Sequence, residues 1–277
     1  MHPLGLSARA WCLQPLSSPE DMPRLNLAPP VSSYSWLFDA IRLTRQRMDG
    51  AVPVLGFCGG PWTLFAYMVE GGGSRTYAKA RGWLYKHPES AHKVISAITD
   101  ALVELLLAQW KAGASLLQVF ESNAGELPPD LWQEFALPYL LKIAEQVRAR
   151  TPAVAEGGPP LICFPRNARS GMEDMAASQY DVVGIDWATS PAEARAVLGG
   201  KKAVQGNLDP VALFASHEQI REKVHAMLEG FGVGKPDGCA VIGNLGHGMM
   251  PEHDPAAYEA FIKAVHSESE ALLSASS

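Results

Sequence analysis

Apolar residues in this chain recur in two rhythms. Short unbroken runs alternate with longer stretches spaced three and four residues apart. Val52-Pro53-Val54-Leu55-Gly56-Phe57 is the first short run and reads as a strand buried on both faces. The same reading applies to 115–120, 161–164, 182–186, 203–206 and 239–243. Helical spacing starts at Trp36, Leu37, Ala40, Ile41 and Leu43, and Gly50 follows as a stop. Further helices are predicted over 62–69, 75–86, 88–112, 128–150, 171–178, 191–198, 217–230 and 255–273. In the long one, Val94, Ile98, Leu102, Leu105 and Leu106 mark the buried side. The result is six strands, each followed by at least one helix, which predicts parallel strands joined by right-handed crossovers. An open doubly wound sheet and a (β/α)8 barrel short of two units both fit. No G-x-G-x-x-G follows a strand, so a dinucleotide fold has no positive support.

Residues 1–33 differ from the rest. Six prolines (Pro3, Pro15, Pro19, Pro23, Pro29 and Pro30) break any long helix or central strand there. The expectation is a disordered leader over 1–33 ahead of an α/β unit over 34–277.

Composition narrows the function. Of 277 residues, 47% are hydrophobic and 19% charged, which predicts a sizeable core. A net charge of −6 provides no basic field for nucleic acid or for anionic membranes. No apolar run reaches 18 residues, so no membrane span is predicted. Cys12, Cys58, Cys163 and Cys239 are widely and irregularly spaced, which suggests small buried hydrophobes in a reducing compartment rather than disulfides.

In parallel α/β folds, chemistry gathers at the carboxyl ends of the strands. There the chain carries Gly59-Gly60-Pro61, then Glu121, Ser122 and Asn123, then Asp186, Asn207-Leu208-Asp209-Pro210, and Gly246-His247-Gly248. Several have bland readings: a turn before a helix at Gly59, a buried Asp186 satisfied by backbone N–H groups, and a capping turn at 207–210. His247 stands out, because glycine on both sides permits close approach of a ligand. His87, His92, His217, His225, His253 and His266 read as solvated surface. No set of His, Cys and carboxylates has zinc spacing. A Ser122-His247-Asp186 triad ranks low without a G-x-S-x-G turn.

Five blocks at these strand ends resemble the uroporphyrinogen decarboxylase family. They are Gly56-Phe57-Cys58-Gly59-Gly60-Pro61-Trp62-Thr63-Leu64 with 67–73, Phe120-Glu121-Ser122-Asn123-Ala124-Gly125, 205–210, and Asn244-Leu245-Gly246-His247-Gly248. The resemblance implies a (β/α)8 barrel, a homodimer, no metal or organic cofactor, and a cytoplasmic or plastid location. It implies removal of the four acetate carboxyl groups of uroporphyrinogen III, giving coproporphyrinogen III and CO2. In that chemistry a pyrrole ring is protonated at its α-carbon and becomes the electron sink. A site acid stabilises the developing positive charge, and arginines hold the substrate carboxylates. Carried over residue by residue, Tyr67, Ser122 and His247 are polar substrate-binding side chains. Phe57 and Phe120 are apolar wall, and Gly59 gives close backbone approach.

The chain also departs from the family pattern. The Arg-Gln-Ala-Gly-Arg-Tyr block is absent, as is the Phe-Ser-Asp block with its essential aspartate. Phe164-Pro165-Arg166-Asn167 stands where the family has Phe-Ala-Lys. The expectation is therefore a barrel lacking its first two units, behind a leader over 1–33 that is foreign to the family, and inactive alone. Two alternatives are a non-catalytic short form that binds porphyrinogen or a full-length partner, and a zinc-dependent methyltransferase of the same superfamily. The zinc reading lacks the His-x-Cys it needs, since Leu161 lies two residues before Cys163.

Overall fold

All six predicted strands form in the computed structural model, which describes residues 14–26 and 31–275. The chain divides into two units, Met1–Pro159 and Pro160–Ser277.

The first unit contains α1 (Ser35–Met48), β1 (Leu55–Gly59), α2 (Pro61–Glu70), α3 (Ala78–Lys86) and α4 (Pro88–Lys111). β2 (Leu116–Glu121), α5 (Pro129–Phe135) and α6 (Leu137–Arg148) follow. β1 starts later than the apolar run predicts, because Pro53 has no N–H to offer a ladder. β1 and β2 run parallel, in register from Leu55 opposite Leu116 to Gly59 opposite Phe120. Side chains alternate along a strand, so Phe57, Gly59, Gln118 and Phe120 share one face. Cys58, Leu117, Val119 and Glu121 share the other.

The helices cover that second face. Trp62 and Phe65 of α2 are fully buried, and Phe65 continues the aromatic packing to Trp83 of α3 at 5.6 Å between centroids. Each such side chain contributes roughly 1.5–3 kcal/mol by leaving water. In α4 the buried stripe is Val94, Ile95, Leu102, Val103, Leu106 and Leu107. Ile98 and Leu105, predicted on that stripe, are only partly buried. With Leu64 and Met68 they line a groove of about 240 Å³.

Two expectations are corrected here. The helix expected over 128–150 is two helices that break at Ala136, whose ψ is −59° at a φ of −119°. Pro138 is the cause: it has no N–H for the Glu134 carbonyl, and its ring would clash with that group in a continuous helix. Part of the Pro-rich segment is packed rather than loose. Leu16 is buried and its N–H donates to the Met68 carbonyl at 2.8 Å. A 3₁₀ helix spans Pro19–Arg24, with the Asp21 carboxylate accepting from Ser17 N at 2.8 Å. Pro19 suits such a turn, because the first donors of a short helix have no partner to lose, whereas Pro23 lies inside it. Residues 1–13 and 27–30, with Cys12, lie outside the described residues.

The second unit contains β3 (Leu161–Pro165), α7 (Met172–Ala177), β4 (Val182–Gly184), α8 (Pro191–Leu198) and β5 (Ala203–Leu208). A 3₁₀ helix (Pro210–Phe214), α9 (His217–Gly230), β6 (Val241–Leu245) and α10 (Pro255–Ala275) complete it. Its strands pair in chain order, all parallel. Ser190 and Ser216 cap α8 and α9 through reciprocal bonds with Glu193 and Gln219. Cys58, Cys163 and Cys239 are buried, and none of the three is in a disulfide. His253, expected at the surface, is 5% exposed. Its Nδ1 accepts from Met250 N, and its ring lies 4.5 Å from that of Phe214. The loop after β6 folds back over its own imidazole, a closure that residue spacing does not reveal.

Candidate active site

Five of the six predicted site residues lie in the first unit: Phe57 and Gly59 on β1, Phe120 on β2, Ser122 directly after it, and Tyr67 on α2. Phe57 is 57% exposed although it sits in mid-strand. Its ring meets Phe120 edge to face, with centroids 5.7 Å apart and planes at 84°. Aromatic quadrupoles favour that geometry. Gly59 lies opposite Phe120 across the ladder. Leu64 occupies the space that a side chain at Gly59 would need, and a Cβ there would come 2.9 Å from Leu64 Cδ2. The strands therefore present an exposed aromatic pair beside a glycine packed against Leu64. Ser122 follows β2 directly. Tyr67 is half-buried in the second turn of α2, and its hydroxyl has no hydrogen-bond partner among the described residues.

Glu121 was noted in the sequence only as one of three polar residues at a strand end. It is fully buried, and its carboxylate accepts from Trp62 N at 3.1 Å, Thr63 N at 2.7 Å and Thr63 Oγ1 at 2.5 Å. Burial pushes its pKa up to about 7, against the opposing pull of the Thr63 hydroxyl and the two backbone N–H groups. Burial, and then the nearby Glu121 charge, push the Cys58 thiol well above its ordinary range. A thiol held protonated is a poor nucleophile, so Cys58 belongs to the core rather than to the chemistry. Gln118, on the same face as Phe120, is 2% exposed, and its Oε1 has no partner among the described residues. A polar residue inside an otherwise apolar strand was the available signal for it.

In the second unit, His247 is exposed and packs against Trp187 edge to face, with centroids 6.0 Å apart. Gly246 makes this contact possible. A Cβ there would come 2.6 Å from Trp187 N. Asp186 has the bland role expected of it: Oδ2 accepts from Asn167 N at 2.6 Å and Oδ1 from Ala188 N at 2.8 Å. Asn207 stands inside β5 rather than in the turn after it. Its amide donates to the carbonyls of Asp186 and Thr189 and so joins two loops. Asp209 caps the 3₁₀ helix through Val211 N, as the Asn-x-Asp-Pro pattern predicts. Among the described residues, no three His, Cys, Asp or Glu side chains converge as a metal site would need. Among them also, no helix is long and apolar enough to cross a membrane.

A model of the uroporphyrinogen decarboxylase (URO-D) family matches residues 9–268, which includes most of the Pro-rich segment. Over 261 residues the chain is 48% identical to the uroporphyrinogen decarboxylase of Danio rerio, covering 94% of this chain and 69% of that one. The human enzyme of that name is 46% identical over 260 residues, with 94% and 70% covered. That of Salinibacter ruber is 44% identical over 256, with 92% and 70% covered. Among solved structures, a methyltransferase from Methanosarcina mazei superposes with a TM-score of 0.68 at 21% identity, over 83% of this chain and 63% of that one. A B12-independent methionine synthase from Shewanella sp. W3-18-1 gives 0.57 at 12% identity, over 85% and 66%. At such identities the two structures speak for the fold alone, and six parallel strands fit a (β/α)8 barrel short of two units. The chain belongs to the uroporphyrinogen decarboxylase family, whose members are carboxy-lyases.

Proposed function

We propose that this chain binds uroporphyrinogen III at the strand ends of its first unit, which carry Phe57, Gly59, Phe120 and Ser122 with Tyr67 on α2, that His247 of the second unit is likewise a substrate-binding side chain, and that the chain serves the removal of the four acetate carboxyl groups. The observation that carries this is the exposed ring of Phe57, set edge to face against Phe120, in a chain of this family. A pyrrole ring stacks on such a face, and the hydroxyls of Tyr67 and Ser122 suit polar groups of the substrate, as does the exposed imidazole of His247 in its own unit. In each round the C–C bond to the carboxylate breaks and its electron pair passes into a pyrrole ring protonated at the α-carbon. CO2 leaves, a proton takes its place on the side-chain carbon, and the ring proton is returned. No oxidant, metal or organic cofactor is required for that balance.

The acid and the arginines that stabilise this charge in the family belong to blocks absent from the 277 residues. We therefore read this chain as a binder with little turnover alone. The buried cysteines outside disulfides fit a reducing compartment, cytosol or plastid, and we read the working form as a homodimer.

Anaerobic incubation with uroporphyrinogen, followed by chromatography of the oxidised products, tests both parts. Retention of substrate by the chain, with coproporphyrin formed only after a family N-terminal segment is added, is the expected result. Full turnover by the chain alone would overturn the assignment of the chemistry to the absent blocks. No retention would overturn the binding surface.

A further inference from the structure

Buried carboxylates are normally paired with a cation. Glu121 has no Lys or Arg partner among the described residues; its partners are the first free donors of α2. Trp62 and Thr63 occupy the second and third positions of that helix, where a side chain from the residue before the helix ordinarily accepts. That residue is Gly60, and it has no side chain to offer. A Cβ there would lie 2.4 Å from Glu121 Oε2. The capping role has passed to another strand. The linkage continues past Glu121: Thr63 Oγ1 accepts from Asn123 N at 3.1 Å, and the Trp62 indole N–H donates to the Asn123 carbonyl at 2.9 Å. Glu121 and Asn123 flank Ser122, so both chain neighbours of Ser122 are tied to the first turn of α2.

We propose that Glu121 is a positioning residue of the candidate site. Its carboxylate joins the β1–α2 turn to the end of β2 and thereby fixes Ser122 relative to Gly59 and the Phe57–Phe120 face. This rests on the binding surface proposed above. The carboxylate itself faces the helices and touches no ligand, so its effect is exerted through Ser122 and Gly59. Among the described residues, Cys58 of β1 is the other titratable group that faces it. The facing turn of α2 brings only Trp62 and Thr63, and Ser122 and Asn123 carry no charge. Proton uptake removes the charge that draws three donors together, so the linkage loosens on acidification through the Glu121 pKa of about 7.

The test is anaerobic equilibrium dialysis of uroporphyrinogen against the full chain and its variants, with far-UV circular dichroism as a check on folding. In the Glu121→Gln variant, the dissociation constant should rise by about tenfold at pH 8, the scale of one misplaced polar contact. Wild-type affinity should fall between about pH 8 and 6, and this dependence should flatten in Glu121→Gln, a readout that general loosening of the fold does not produce. Should Glu121→Gln fail to fold, Thr63 decides. Thr63→Ser keeps the hydroxyl and should bind as wild type, whereas Thr63→Val should lose about as much as Glu121→Gln. Wild-type affinity and pH profile in Glu121→Gln, or equal binding by the two Thr63 variants, would overturn the positioning role. Absence of binding by the wild-type chain would instead sink the proposed surface, and the positioning role with it.

Discussion

The side-chain amide of Gln109 clasps the backbone of Phe57: its Oε1 accepts from Phe57 N and its Nε2 donates to the Phe57 carbonyl, each at 2.9 Å. Alternate residues of a strand bond to opposite sides, and Gly60 N already donates to the Phe120 carbonyl of β2. Phe57 thus directs its peptide groups away from β2, and a helix side chain takes the place of a neighbouring strand. Exposed strand edges invite pairing with other chains, and this amide blunts one. Replacing Gln109 with Leu should cost about 1–3 kcal/mol, because two part-buried peptide groups lose their partner. Urea unfolding checks the cost. Light scattering should show concentration-dependent association in the variant.

Gly246 and Trp187 make a second close pair. Gly246→Ala places a methyl group 2.6 Å from Trp187 N, against backbone that has little freedom to retreat. The loop carrying His247 should shift, and uroporphyrinogen affinity should fall by about tenfold or more. Overall stability should change by only about 1–3 kcal/mol, the usual cost of overpacking. Dialysis and thermal unfolding of the same sample separate the two effects.

Glu121 also makes stability depend on pH. Its folded pKa is raised to about 7, mainly by burial, whereas an unfolded glutamate releases its proton near 4.5. Between those values the folded state holds more protons than the unfolded one. This contribution to stability is complete below the unfolded pKa, declines as pH rises, and is gone above about 7. Urea midpoints between pH 5 and 8 should therefore fall less with pH in Glu121→Gln than in the wild type. Equal slopes would mean that the carboxyl titrates in its ordinary range.

Phe57→Ala should separate binding from folding. The ring is more exposed than buried, so its loss costs little beyond the aromatic contact, roughly 0.5–1.5 kcal/mol. Uroporphyrinogen binding should weaken far more than stability does. Trp132→Ala, at a fully buried position of the same unit, should do the opposite and cost about 3–5 kcal/mol.

Much of the fold was legible in the sequence because hydrophobic rhythm is a local property. Five of the six strands stand where short apolar runs end in glycine or a polar residue, the third where a run meets Pro165, and α8 and α9 occupy the predicted spans. The misreadings arise where one residue outweighs the rhythm. Pro138 divides a helix that periodicity carries through, and Asp21 orders a Pro-rich stretch by accepting backbone N–H groups. The site was legible as a set of strand ends and no further. Gln109 and Glu121 lie inside apolar patterns, and their partners, Phe57 and Thr63, are more than 50 residues away along the chain. Spacing along a sequence holds no record of such pairs.

The contact between Gly60 and Glu121 makes the two positions a single heritable unit. A chain that gains a side chain at 60 collides with the carboxylate, and one that shortens the carboxylate leaves α2 without its cap. Neither step is tolerable first, whereas both together restore an ordinary helix start, with Ser or Asp at 60 and a small apolar residue at 121. The turn is thus held in its present form by the lack of a passable intermediate, so drift at either position waits on its counterpart.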